Sequence, residues 1–128
     1  MGSKEAQTLE VSFLGGLHWW KASLGLVASV DKPLVRLQLH QGGMFIGPAS
    51  KIAQWVTFGQ IPTFEIATES IILARRVKKG VRLQVEHMEK PLVFVYRDAE
   101  RILNLLASKN VPIDTTLHEP HSWEETVL

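Results

Sequence analysis

The chain has 128 residues, a formal net charge of +1, and 45% hydrophobic residues. This length fits one domain with one ordinary core, and the near-neutral charge provides no general attraction to nucleic acid. The absence of cysteine excludes disulfides, thiolate metal sites and a cysteine nucleophile. No apolar run is long enough to span a membrane and no signal peptide is recognisable. We therefore expect a cytoplasmic protein, with peripheral attachment to a membrane as the alternative.

The first third of the chain predicts β-strands. Apolar and polar residues alternate over 9–13, which predicts a short strand that ends in a turn at Gly15-Gly16. The even positions from 20 to 30 are apolar, which favours one long strand over 18–30 with a single apolar face. Asp31-Lys32-Pro33 predicts a tight turn, and a further alternating strand follows over 35–39.

The middle of the chain predicts short strands around one ambiguous segment. Residues 44–46 and 71–73 are short apolar runs and 64–66 alternate between apolar and polar, all next to turn residues, as is typical of strands. Within 50–57 the large apolar residues fall at helical spacing, so a single helical turn and a strand both remain open. Those residues are Ile52, Trp55 and Val56.

The last third predicts a hairpin and one helix. Residues 81–86 alternate strictly, and Lys78-Lys79-Gly80 predicts the hairpin turn before them, with Gly80 supplying a positive φ. Residues 92–96 are apolar on both faces, which indicates a deeply buried strand. Asp98 is a favourable N-cap for a helix whose apolar stripe must be buried. The stripe consists of Ala99, Ile102, Leu105 and Leu106.

These elements predict a mainly β fold: an antiparallel barrel of about seven strands, capped by a C-terminal α-helix. The order of elements resembles that of pleckstrin-homology (PH)-like domains, and most closely the small bacterial PH-like and GRAM-like domains. The resemblance rests on residues 34–39, 43–47, Ile66, Ile71, the hairpins of 73–96 and the helix from Asp98. It implies a non-catalytic scaffold that binds lipid head groups, peptides or proteins. We expect an N-terminal segment over 1–16 that adds a strand, the domain itself over 17–111 and a flexible tail over 112–128.

The most concentrated charge in the chain lies around the predicted hairpin turn. Five cations occur within eight residues: Arg75, Arg76, Lys78, Lys79 and Arg82. Such a cluster can bind a phosphate, an anionic membrane or an acidic partner. The alternative is a solvated hairpin whose charges prevent unwanted pairing of a strand edge.

A second candidate surface is apolar. Trp19 and Trp20 are adjacent on a predicted strand, so their rings point to opposite faces, and the parity of that strand places Trp19 outside. Together with Val27, Trp55 and Phe58 it would form a contact surface for a partner, including a second copy of the chain. The alternative is that the N-terminal strand covers Trp19 within one molecule.

Catalytic and metal-binding patterns find little support in the sequence. It contains no nucleophile elbow, no phosphate-binding P-loop and no dinucleotide fingerprint. The polar residues of the tail (His118, Glu119, His121, Glu124 and Glu125) match no metal site of fixed geometry. We expect a binding or adaptor module without cofactor, metal or catalytic residues, whose partner is a protein. A small hydrolase or metal-binding protein is the minor alternative.

Overall fold

The computed structural model describes residues 9–21 and 25–116. This part of the chain forms eight strands and two α-helices, which confirms a mainly β fold with a C-terminal helix. The strands are β1 (Leu9–Lys21), β2 (Leu26–His40), β3 (Gly43–Pro48), β4 (Phe64–Ala67), β5 (Ile71–Val77), β6 (Gly80–Val85), β7 (Leu92–Val95) and β8 (Ile113–Asp114). The helices are α1 (Lys51–Val56) and α2 (Ala99–Ala107). No helix within these ranges has the length and apolar character needed to cross a membrane.

All the described strands belong to one sheet, in the order β4-β3-β2-β1-β7-β6-β5-β8. Neighbouring strands are antiparallel, except that β8 runs parallel to β5. The sheet curls around a single apolar core, because buried residues from both of its halves and from α2 belong to one cluster. This arrangement gives the molecule one core, one central strand and one helix that packs against β5 and β6.

The central strand β1 changes the predicted division of the chain. Residues 9–16 are part of β1, which pairs with β2 and, through Gly16–His18, with β7. The expected boundary between residues 16 and 17 therefore falls inside the central strand. At the other end, Ile113 and Asp114 pair with β5, so the sheet extends into the predicted tail. The remainder of that tail, residues 117–128, lies outside the described residues.

The turn predicted at Gly15-Gly16 is wrong, because both glycines lie within β1. They are required by close packing rather than by a change of direction: a Cβ on Gly15 would collide with the Val95 carbonyl oxygen of β7. The chain instead reverses between Lys21 and Leu26. There, Gly25 has a φ of +64° and donates its N–H to the Lys21 carbonyl oxygen at 3.0 Å. The single long strand expected over 18–30 is therefore two strands.

The tight turn predicted at Asp31-Lys32-Pro33 is also wrong, since β2 continues through it. The register shifts at this point: Val35 pairs with Gly15, and Val30 pairs with Leu17. Residues 31–34 thus lie opposite a single residue of β1, Gly16, and form a bulge without reversing the chain.

The predicted hairpin between β5 and β6 is confirmed, with Lys78 and Lys79 as its two-residue turn. The role predicted for Gly80 is wrong, because it is not among the glycines with positive φ. A Cβ at this position would collide with the Phe94 carbonyl oxygen on β7. The absence of a side chain at Gly80 therefore lets β6 approach β7 closely. The residues of the turn alone could not indicate this contact.

The prediction for α2 is confirmed at its start and refined along its face. The Asp98 carboxylate accepts a hydrogen bond from the Arg101 N–H at 3.3 Å, as an N-cap should. Ile102, Leu103 and Leu106 are fully buried, whereas Leu105 is only partly buried. The buried stripe thus includes Leu103, where the spacing had suggested Leu105. With this stripe α2 packs against β5 and β6.

Candidate binding surface

The segment between β3 and β4 is a short helix, which resolves the ambiguity of residues 50–57. Ser50 is its N-cap and accepts a hydrogen bond from the Ala53 N–H at 3.1 Å. Ala53 is the one residue of α1 that is buried. Ile52 and Trp55 are 73% and 79% exposed, so the apolar side of this helix faces away from the core.

The end of α1 places a phenylalanine where helices normally have glycine. The Phe58 N–H donates to the Trp55 carbonyl at 3.1 Å, and the Gly59 N–H donates to the Gln54 carbonyl at 2.7 Å. These two bonds form a Schellman motif, in which the first residue beyond the cap is left-handed and usually glycine. Phe58 occupies that position with a φ of +55°, and it is 90% exposed.

We call the exposed apolar side chains of this segment the apolar patch: Ile52, Trp55, Val56 and Phe58. A hydrogen bond from Lys21 Nζ to Gln60 Oε1 (3.2 Å) ties the loop after the patch to the C-terminal end of β1. The sequence has no Asp or Glu between Asp31 and Glu65, and Lys51 directly precedes the patch residues. The patch is therefore apolar, with Lys51 as its nearest charge along the chain and Lys21 beside the loop that follows it.

Two of the four residues predicted for a partner interface, Trp55 and Phe58, lie in the apolar patch. The outward orientation predicted for Trp19 is wrong, because it is 8% exposed and belongs to the core. Trp19 pairs with Ala28 across the hairpin, so the residues that face the core have odd numbers in β1 and even numbers in the first part of β2. The prediction that even-numbered residues face the core throughout 18–30 is therefore wrong. Val27, the fourth residue, is partly buried and pairs with Trp20 on the opposite face.

A small pocket lies at the same end of the sheet as the apolar patch. It has a volume of about 210 Å³ and is lined by Trp19, Trp20, Phe64, Met88, Glu89, Lys90 and Leu92. The Lys90 ammonium lies 5.6 Å from the centroid of the Trp20 ring, a cation–π contact. Sequence reasoning missed this pocket because its residues come from three separate elements. Only the fold brings them together.

The basic cluster divides into three groups in space. Arg76 Nη1 lies 3.5 Å from Glu100 Oε1 on α2, so this cation is paired across to the helix. Arg75 and Arg82 are direct cross-strand partners on β5 and β6. Lys78 and Lys79 are exposed in the turn itself. The five cations predicted as one site therefore do not converge on one point.

The basic turn and the apolar patch are separate surfaces. The β5–β6 turn adjoins Gly80, which pairs with Val95, and Val95 pairs in turn with Gly16 in the middle of β1. The patch adjoins Lys21, at the C-terminal end of β1. The stretch from Gly16 to Lys21 corresponds to about 16 Å of extended strand.

Metal ligands do not converge within residues 9–21 and 25–116, where no three His, Asp or Glu side chains are grouped. The polar tail residues considered as a metal site, from His118 to Glu125, lie outside the described residues. No protein-family model and no curated protein matches this chain.

Proposed function

We propose that this protein is a non-catalytic, PH-like binding module whose apolar patch inserts into a groove on a partner protein. The observation that carries the proposal is Phe58, a bulky residue held in a left-handed conformation with its ring in solvent. The resemblance of the sequence pattern to PH-like domains, which act as scaffolds rather than enzymes, supports the same conclusion.

The energetics of Phe58 argue for a role outside the folded chain. A left-handed backbone costs an L-residue with a Cβ about 1–2 kcal/mol, whereas glycine avoids this cost. Because the ring is 90% exposed, contacts within the described chain recover little of that cost. Strain of this kind is typical of functional sites. Docking would bury the ring of Phe58 together with that of Trp55, and each aromatic ring buries about 150–250 Å².

The shape and charge of the patch favour a protein groove over a membrane or a second copy. Three of its side chains are at least 73% exposed and therefore protrude. Two such protruding surfaces would bury little area against each other, whereas a concave apolar groove matches them. A surface that attaches to a membrane usually combines its apolar side with many Lys and Arg residues. Here Lys51 and Lys21 are the cations near the patch, and the cluster of five cations lies elsewhere on the sheet. These two lysines suit a groove with an acidic rim.

Affinity capture with matched variants tests this function. Wild-type protein and Phe58→Gly are immobilised side by side and exposed to extract from the source cells. We expect a protein that the wild type retains and Phe58→Gly loses, because glycine removes the ring while keeping the Schellman backbone. Ile72→Thr is the control, since Ile72 is also an exposed apolar residue but lies on β5, away from the patch. It should retain the same protein.

Three results would contradict the proposal. If Phe58→Gly and Trp55→Ser retain the same proteins as the wild type, the patch is not the docking surface. Light scattering provides the second check: a wild-type dimer that Phe58→Gly converts to a monomer would assign the patch to a second copy of the chain. Binding of the wild type, but not of Phe58→Gly, to vesicles would assign it to a membrane instead.

A further inference from the structure

The outer face of the β5–β6 hairpin holds two arginines directly opposite each other. Arg75 and Arg82 are paired residues in the antiparallel register, and both are partly buried. Like charges at directly opposite positions destabilise a sheet, because their side chains are forced close together. This arrangement therefore costs stability, and an anion close to both guanidinium groups would reduce that cost.

These two side chains line a groove together with Leu73 and Gln84, and its volume is about 220 Å³. Asp114 forms an ion pair with Arg75, but its Oδ2 is 4.0 Å from Nε and thus too distant for a hydrogen bond. Within the described residues, Arg75 Nε is shielded from solvent and has no hydrogen-bond partner, and Arg82 forms no ion pair.

We infer that this groove binds a phosphate group between Arg75 and Arg82, with the Gln84 amide as a further donor. A guanidinium presents five N–H donors in a planar fork that matches the oxygens of phosphate. A phosphate offers three or more oxygens, so each arginine can take different ones. A bound phosphate would also remove the repulsion between the two arginines and provide a partner for the shielded Nε.

The structure distinguishes this site from the exposed turn beyond it. Lys78 and Lys79 project from the turn, whereas the Arg75 and Arg82 pair lies three positions inside the hairpin and is partly buried. The groove has room for a phosphate together with part of the group that carries it. That group belongs either to a soluble phosphorylated compound or to a phospholipid head group, and the experiment below separates the two.

Thermal unfolding with inorganic phosphate tests the site directly. With phosphate at about ten times its dissociation constant, the wild-type melting temperature should rise by about 4–8 °C above that in sodium chloride of equal ionic strength. Arg82→Gln should lose this rise. Without phosphate, its melting temperature should equal or exceed that of the wild type, because the cross-strand repulsion is gone. Lys79→Gln removes the same charge from the exposed turn and should respond to phosphate as the wild type does.

Two further measurements complete the test. Arg82→Lys keeps the charge but lacks the planar fork, so phosphate affinity by ³¹P NMR titration should fall about tenfold or more. Co-sedimentation with vesicles containing phosphatidic acid identifies the source: binding that depends on Arg82 means a lipid head group, and phosphate binding without vesicle binding means a soluble compound. If phosphate has no more effect than chloride, or if Arg82→Gln responds like the wild type, the inference is wrong. Neither result depends on the apolar patch.

Discussion

The two helices of this protein have similar sequence patterns but opposite relations to the core. Both begin at a side-chain N-cap, Asp98 in α2 and Ser50 in α1, and both carry large apolar residues at helical spacing. In α2, Ile102, Leu103 and Leu106 are fully buried, whereas in α1 the small Ala53 is the only buried residue. One helix uses its apolar face to close the core, and the other exposes it.

This difference separates stability from binding. The apolar face of α2 covers β5 and β6 and is removed from water on folding, so it stabilises the native state. The apolar face of α1 contributes almost nothing to folding, because it stays exposed. In the function proposed above, its large side chains contact a partner instead. Five substitutions test this division, from the largest expected effect to the smallest.

The largest effect is expected at the buried helix. Leu106→Ala should lower the free energy of unfolding by about 2–5 kcal/mol, because the substitution removes a fully buried side chain and leaves a cavity. Urea unfolding measures this as a lower midpoint with an unchanged slope. An unchanged midpoint would mean that α2 is not docked on the sheet.

The two N-caps should differ in their effect. Asp98→Ala should cost about 1 kcal/mol of global stability, because α2 folds as part of the core. Ser50→Ala removes an equivalent hydrogen bond from α1, but that helix can open without exposing the core. Its urea midpoint should therefore change less, while amide hydrogen exchange in 51–57 becomes faster. Equal losses of global stability would show that α1 unfolds together with the core.

Phe58→Gly should stabilise the protein. Relief of the left-handed strain outweighs the greater entropy that glycine adds to the unfolded chain, so we expect a gain of about 0.5–1 kcal/mol. Urea unfolding of this variant beside the wild type provides the measurement. A loss of more than about 1 kcal/mol would show that the ring has stabilising contacts within the chain, which would weaken the argument for a partner.

Ile52→Ala should have the smallest effect and serves as the matched control for Leu106→Ala. Both substitutions remove a large aliphatic side chain from a helix, but Ile52 is 73% exposed. The change in unfolding free energy should stay within about 0.5 kcal/mol, as for most surface positions. A cost similar to that of Leu106→Ala would place α1 in the cooperative core and remove the contrast between the helices.

Sequence patterns were reliable wherever burial follows a local period. The alternation over 81–86 predicted β6, and the spacing from Ala99 to Leu106 predicted the buried face of α2, because one buried side dictates a repeating pattern. The candidate site was only partly predictable. Helical spacing indicated the residues of α1, but it could not show whether their apolar face was covered.

The errors concentrate where one strand approaches another. Gly15 and Gly80 look like turn residues in the sequence, yet both are glycines because a backbone carbonyl of β7 lies where a Cβ would be. Trp19 was assigned to the wrong face because the chain reverses between Lys21 and Leu26, and the core-facing residues have odd numbers before the reversal and even numbers after it. The groove between Arg75 and Arg82 also depends on strand register, because it forms only where these two residues stand opposite each other in the hairpin.

The sequence by itself therefore determined the kind of protein: mainly β, without cysteine chemistry, with a capped C-terminal helix over an apolar sheet. These properties depend on composition, side-chain period and capping, all of which act over a few neighbouring residues. Only the tertiary structure decided that β1 is the central strand, that Trp19 is buried and that the face of α1 remains in solvent. These properties depend on contacts between residues far apart in the chain, and no local pattern encodes which surfaces the rest of the fold will cover.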